Sequence, residues 1–80
     1  MASDEERSRK SLSMLAGRLA ELKGLARGNG YLYSLAGKYH ADARHYFEKG
    51  DYFTSFGCSD YAYGILDALD YIVNGNGPKP

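Results

Sequence analysis

The apolar positions of this chain recur at steps of three and four residues in three separate runs, the spacing of helix faces rather than of strands. Leu12, Leu15, Leu19, Leu22 and Ala26 form the first run. Leu32, Leu35, Ala36, Tyr39, Ala43 and Tyr46 form the second, with Phe47 at its border and Lys38, Ala41, His45 and Glu48 on the opposite side. Ser55, Cys58, Ala62, Ile65, Leu69 and Ile72 form the third, an unbroken heptad seam that is small at its start and bulky at its end. The pattern predicts an all-α three-helix bundle, with helices over about residues 4–27, 31–49 and 52–74.

Local signals punctuate these runs. Ser3 followed by Glu6 resembles a capping box, and Asp4, Glu5 and Glu6 fall where a helix dipole favours negative charge. Gly28-Asn29-Gly30 reads as a turn, since these residues tolerate positive φ. Gly50 supplies a left-handed residue to close the second helix, and Asp51 a side-chain acceptor to open the third with almost no loop. Helices 2 and 3 are therefore expected to form an antiparallel hairpin, with helix 1 packed across it. Gly75 closes the last helix, and residues 76–80, with two prolines, read as a loose tail. The whole chain, 1–80, is read as one domain.

Helix 3 carries a second stripe that the core seam leaves over. Phe53, Gly57, Asp60, Gly64, Asp67 and Tyr71 share one face, with Phe56 and Tyr63 at its edge. A purely solvated face would not be expected to hold two glycines and four aromatics. Either helix 1 covers this face, the simpler reading for a bundle that must bury two faces of one helix, or another chain docks there. Gly17 and Gly24 repeat the seven-residue spacing on helix 1, and either admit a close neighbour or merely soften an exposed helix.

Charge and composition narrow the function classes. Ten Lys plus Arg balance ten Asp plus Glu, so the basic excess of a nucleic-acid or anionic-membrane binder is missing. The balance is uneven: residues 1–28 hold six basic and four acidic groups, residues 51–80 one and four. Eight tyrosines offer large apolar area with a polar tip, which suits a core or a protein interface. Base stacking is the sharper use of such rings, but it requires a basic groove, and helix 3 is acidic. A single cysteine, Cys58, excludes an intramolecular disulfide and fits a reducing compartment. With no long apolar run at the start and none near the roughly 18 residues a membrane span needs, the chain is expected to be cytoplasmic.

Chemistry-bearing residues are sparse. His40 and His45 are rotated by about 140° from each other on a helix and do not converge on one metal. With no CxxC, HxxxH or ExxH pattern, no metal and no cofactor are expected. Cys58 lies on the core seam, where a free thiol acts as a small hydrophobe. Asp60 and Asp67 stand about 10 Å apart along the helix, too far for paired carboxylate catalysis. Asp67 instead invites an ion pair from a neighbouring helix, with Arg18, Lys23 or Arg44 as donors. No catalytic residue is assigned, and the residues lean away from an enzyme.

The hairpin carries a resemblance. Tyr39, Asp42-Ala43, Tyr46-Phe47 and Lys49-Gly50-Asp51-Tyr52, followed by Phe56 and Tyr61-Ala62-Tyr63-Gly64-Ile65-Leu66-Asp67-Ala68, resemble the archaeal "domain of unknown function 357" family over about residues 12–73. That resemblance implies a small all-helical protein and assigns no activity. A weaker similarity links Arg44-His45 to the helical nucleotide-associated domains of RNA-cleaving systems. Their motif ends in a His where this chain has Lys49, which argues against ribonuclease chemistry. The leading expectation is a non-enzymatic protein-interaction module, with a homodimer as one version, using Phe53, Phe56, Gly57, Asp60, Tyr63, Gly64, Asp67 and Tyr71. The alternative is an RNA- or nucleotide-associated helical domain without ribonuclease activity.

Overall fold

The structure, a computed structural model, describes residues 3–26 and 30–75. Helix α1 spans Asp4–Glu21, α2 spans Gly30–Glu48 and α3 spans Tyr52–Asn74. The turn expected at residues 28–29 and the tail 76–80 lie outside the described residues.

The caps follow the sequence signals closely. Ser3 accepts the Glu6 backbone N–H at 3.1 Å, while its hydroxyl donates to the Glu6 carboxylate at 3.2 Å. At the corner, Gly50 has φ +81°; its N–H bonds Phe47 O at 3.0 Å, and the Asp51 N–H bonds Tyr46 O at 2.9 Å. These two bonds close α2 as a Schellman motif. The Asp51 side chain then accepts the Thr54 N–H at 3.2 Å, so one residue ends one helix and caps the next. Gly75, at φ +71°, ends α3 with a bond to Tyr71 O.

Helix 1 is shorter than its apolar run suggests. It stops at Glu21 instead of continuing to 27, and Lys23–Ala26 forms a single 3₁₀ turn containing Gly24. Two causes are visible: glycine weakens a helix interior, and the tighter turn sets Leu25 against the core. The carbonyl of Leu19, near the helix end, accepts the Tyr33 hydroxyl of α2 at 2.6 Å. That bond satisfies a terminal carbonyl and ties α1 to α2.

Side-chain contacts give the topology. Tyr39 lies 4.7 Å from Tyr61, and Ser55 donates to Ala43 O at 2.6 Å, so α2 and α3 are antiparallel. Ser11 meets Ser59 at 2.5 Å and Arg18 reaches Asp67 and Asp70, so α1 runs parallel to α3. The Arg9 guanidinium sits 5.4 Å from the Phe47 ring, linking the start of α1 to the end of α2. Leu15, Leu22, Ala36, Ala62, Leu66 and Leu69 form the buried cluster, with Leu19, Leu32, Tyr33, Tyr39, Tyr63 and Ile65 packed against it.

The heptad seam of α3 is displaced. The buried positions are Ser55, Ser59, Ala62, Leu66, Leu69 and Asp70, whereas Cys58 and Ile65 are half-buried and Ile72 is exposed. At 3.6 residues per turn, the observed face is rotated by about 60° from the aliphatic seam toward α1. The cause is that α3 serves two neighbours at once. Its aliphatic side meets α2, and its polar flank of Ser59, Asp67 and Asp70 meets α1 through hydrogen bonds.

Candidate functional site

Two features stand out: a polar network joining α1 to α3, and the face of α3 that neither helix covers. The network centres on Arg18, whose side chain is 19% exposed. Its Nη2 donates to Asp70 Oδ2 at 2.9 Å and to Asp67 Oδ1 at 3.3 Å, and its Nη1 pairs with Glu21. Burial disfavours the charged guanidinium, but the bonds to Glu21, Asp70 and Asp67 outweigh it and hold Arg18 above its ordinary value. Asp70 also accepts from the Asn74 amide at 2.9 Å. This confirms Arg18, among the three candidates, as the partner of Asp67. With the guanidinium engaged by three carboxylates, the network is a fastening between helices rather than an open catalytic centre.

Helix 1 does not cover the glycine-bearing stripe. It lands between that stripe and the aliphatic seam, which corrects the simpler expectation. A Cβ added at Gly57 or Gly64 would meet no atom within 4 Å, and the same holds at Gly17 and Gly24. Phe53 is 82% exposed, Tyr71 59% and Phe56 41%. Of the residues expected on this face, Tyr63 turns inward to pack against the core and Asp67 bends to Arg18. Phe53, Phe56, Gly57, Asp60, Gly64 and Tyr71 remain uncovered, joined by exposed Tyr61 and Ile72 that the stripe omitted.

Beside this face, α1 and α3 enclose a groove of about 480 Å³ lined by Arg7, Lys10, Ser11, Met14, Phe56, Asp60 and Tyr63. A second hollow continues from it past Asp4, Arg7, Tyr52, Phe53 and Phe56. A third lies further along α3 at Gly64, Asp67, Ala68, Tyr71 and Ile72. The α1 wall was not singled out from the sequence, although Arg7, Lys10 and Met14 step by three and four and so share one side of a helix.

Arg44 and His45, the residues of the nucleotide alternative, line one hollow with Ala41 and Glu48, the His45 ring edge-on to Tyr46. Arg44 also lines a groove with His40, Leu12, Ser13, Ala16, Phe47 and Glu48. Burial, helped by the Arg44 charge, holds His40 below its ordinary value. Burial and the charges of Asp42 and Asp51 hold the half-buried Cys58 thiol above its own. Among the described residues, no group of three or more His, Cys, Asp or Glu is placed to hold a metal ion. No helix among them is long and apolar enough to cross a membrane.

A family model matches residues 9–74, from the second turn of α1 to the last residue of α3. The chain belongs to this family, Protein of unknown function (DUF357). Membership in DUF357 thus covers all three helices, including both walls of the groove except Arg7. No curated protein and no solved structure matches the chain.

Proposed function

We propose that this DUF357 chain is a non-enzymatic interaction module that docks another protein surface against the exposed face of α3. One observation carries the reading. Along that face, Phe53, Gly57, Gly64, Ala68 and Tyr71 are exposed, with Asp60 and the Arg18-bound Asp67 as the charges beside them. Exposed apolar area concentrated on one helix face marks interaction sites, and glycines let a second backbone approach closely. The same reading puts the module in the cytoplasm, a reducing compartment that suits the free thiol of Cys58.

Site-specific photocrosslinking in cells tests this. A photoreactive phenylalanine at position 53 or 71 should give discrete protein adducts, whereas one at 41 or 48, on the far side of α2, should give none. Equal labelling from both helices, or none from α3, would exclude the reading.

A further inference from the structure

We infer that the partner of the α3 face is a second copy of this chain, packed with the two α3 helices antiparallel about a two-fold axis between Gly57 and Gly64. This rests on the interaction reading above and names its occupant. Of the large apolar side chains exposed among the described residues, Phe53, Phe56 and Tyr71 lie on this face of α3, Tyr61 and Ile72 lie at its edge, and Met14 borders its groove; Tyr31 is on α2 and Val73 on the other side of α3. Self-pairing of one such face buries it twice over, as an isologous interface does.

Register follows from residue size. An antiparallel pair that sets Gly57 against the other copy's Gly64 also sets Phe53 against Ala68, a large side chain opposite a small one. Neither glycine has an atom within 4 Å of where a Cβ would stand, so nothing in the single chain uses their lack of a side chain.

Charge selects the direction. At the Phe53 end of the face, Arg7 is balanced by Asp4, and Lys10 lines the same groove as Asp60. At the Gly64–Tyr71 end, Asp67, Asp70 and Glu21 surround Arg18 and leave a negative rim. Parallel pairing sets the two negative ends together, while antiparallel pairing sets each against the balanced end of the other copy and brings Lys10 toward the other Asp60. The formal net charge of zero and a pI near 6.7 remove the general repulsion that keeps charged copies apart.

Sedimentation equilibrium of the full chain tests this. The expected mass is twice 8.8 kDa. Lys10→Glu alone and Asp60→Lys alone should each weaken self-association by roughly tenfold or more through like-charge contact, and mixing the two should restore it as a heterodimer. Gly57→Leu with Gly64→Leu, at exposed helical positions where a Cβ meets no atom within 4 Å, should yield a folded monomer by circular dichroism. A wild-type chain that sediments as a monomer at all concentrations overturns the pairing, as does a Lys10→Glu and Asp60→Lys mixture that stays monomeric. A monomer that still crosslinks through position 53 to a different protein overturns only the self-pairing. One that crosslinks to nothing overturns the interaction reading as well.

Discussion

At the scale of single residues, environment sets behaviour more than residue type does. Arg18 and Asp70 are the clearest pair, since each is costly to bury without the other. Arg18→Leu strips the 6%-exposed Asp70 of the guanidinium bonded to it at 2.9 Å. Because Arg18 and Asp67 keep some solvent contact, the loss is expected at about 2–3 kcal/mol, below that of a fully buried pair. Urea unfolding followed by circular dichroism would measure it, and an unchanged midpoint would contradict the fastening role. His40 gives a pH dependence of defined sign. Its folded value lies below the ordinary one, so the unfolded chain takes up a proton that the folded chain resists. Stability should therefore fall as pH drops through about 6.5, then level off below the folded value. His40→Gln should flatten the difference between urea midpoints at about pH 7.5 and about pH 5.5. For Cys58, the raised thiol value lowers the thiolate fraction, and alkylation at mildly alkaline pH should run slower than for a free cysteine peptide.

At the scale of elements, the two kinds of glycine on and beside α3 separate by sign. Gly50 sits at φ +81°, which side chains rarely adopt, so Gly50→Ala should cost about 1 kcal/mol. Gly64 is helical with open space around its Cβ position, and Gly64→Ala should stabilise the single chain by up to about 1 kcal/mol. At concentrations that keep the chain monomeric, thermal melts of the two variants should move in opposite directions. That corner, the three helices and their order were legible because caps and periodicity act locally: Ser3, Gly50, Asp51 and Gly75 do what their side chains permit. The seam of α3 was legible only in part. Its apolar period pointed to Cys58, Ile65 and Ile72, but burial fell on Ser59, Leu66 and Asp70. Polar residues become interior only through partners far along the chain, Ser11 for Ser59 and Arg18 for Asp70. No windowed pattern contains those pairings. The same limit hid whether helix 1 would cover Gly57 and Gly64, since its placement is decided by those serine and arginine contacts. Leu66→Ala should consequently cost about 2–5 kcal/mol, far more than Ile72→Ala at the exposed end.

At the scale of the whole molecule, α3 is the shared wall. Both other helices dock on it, and α1 is tied to α2 through Arg9 with Phe47 and Leu19 with Tyr33. Few large side chains are fully enclosed: Leu15, Leu66 and Leu69 carry most of the dry volume. Removing residues 1–29 deletes Leu15 and Leu22 and opens Ser59, Leu66 and Asp70 to water at once. The remaining α2–α3 hairpin then approaches the size, roughly 40 residues, at which a single core no longer sustains a fold without added links. Helices of this length are marginal in water without an apolar face to pack, so the hairpin cannot keep its structure on propensity alone. A chain beginning at Gly30 should therefore lose far more helix than the 18 residues of α1 account for. Far-ultraviolet circular dichroism would check it. A truncated hairpin that keeps its full helical signal and melts cooperatively would mean that α2 and α3 form the domain alone, with α1 only appended to it.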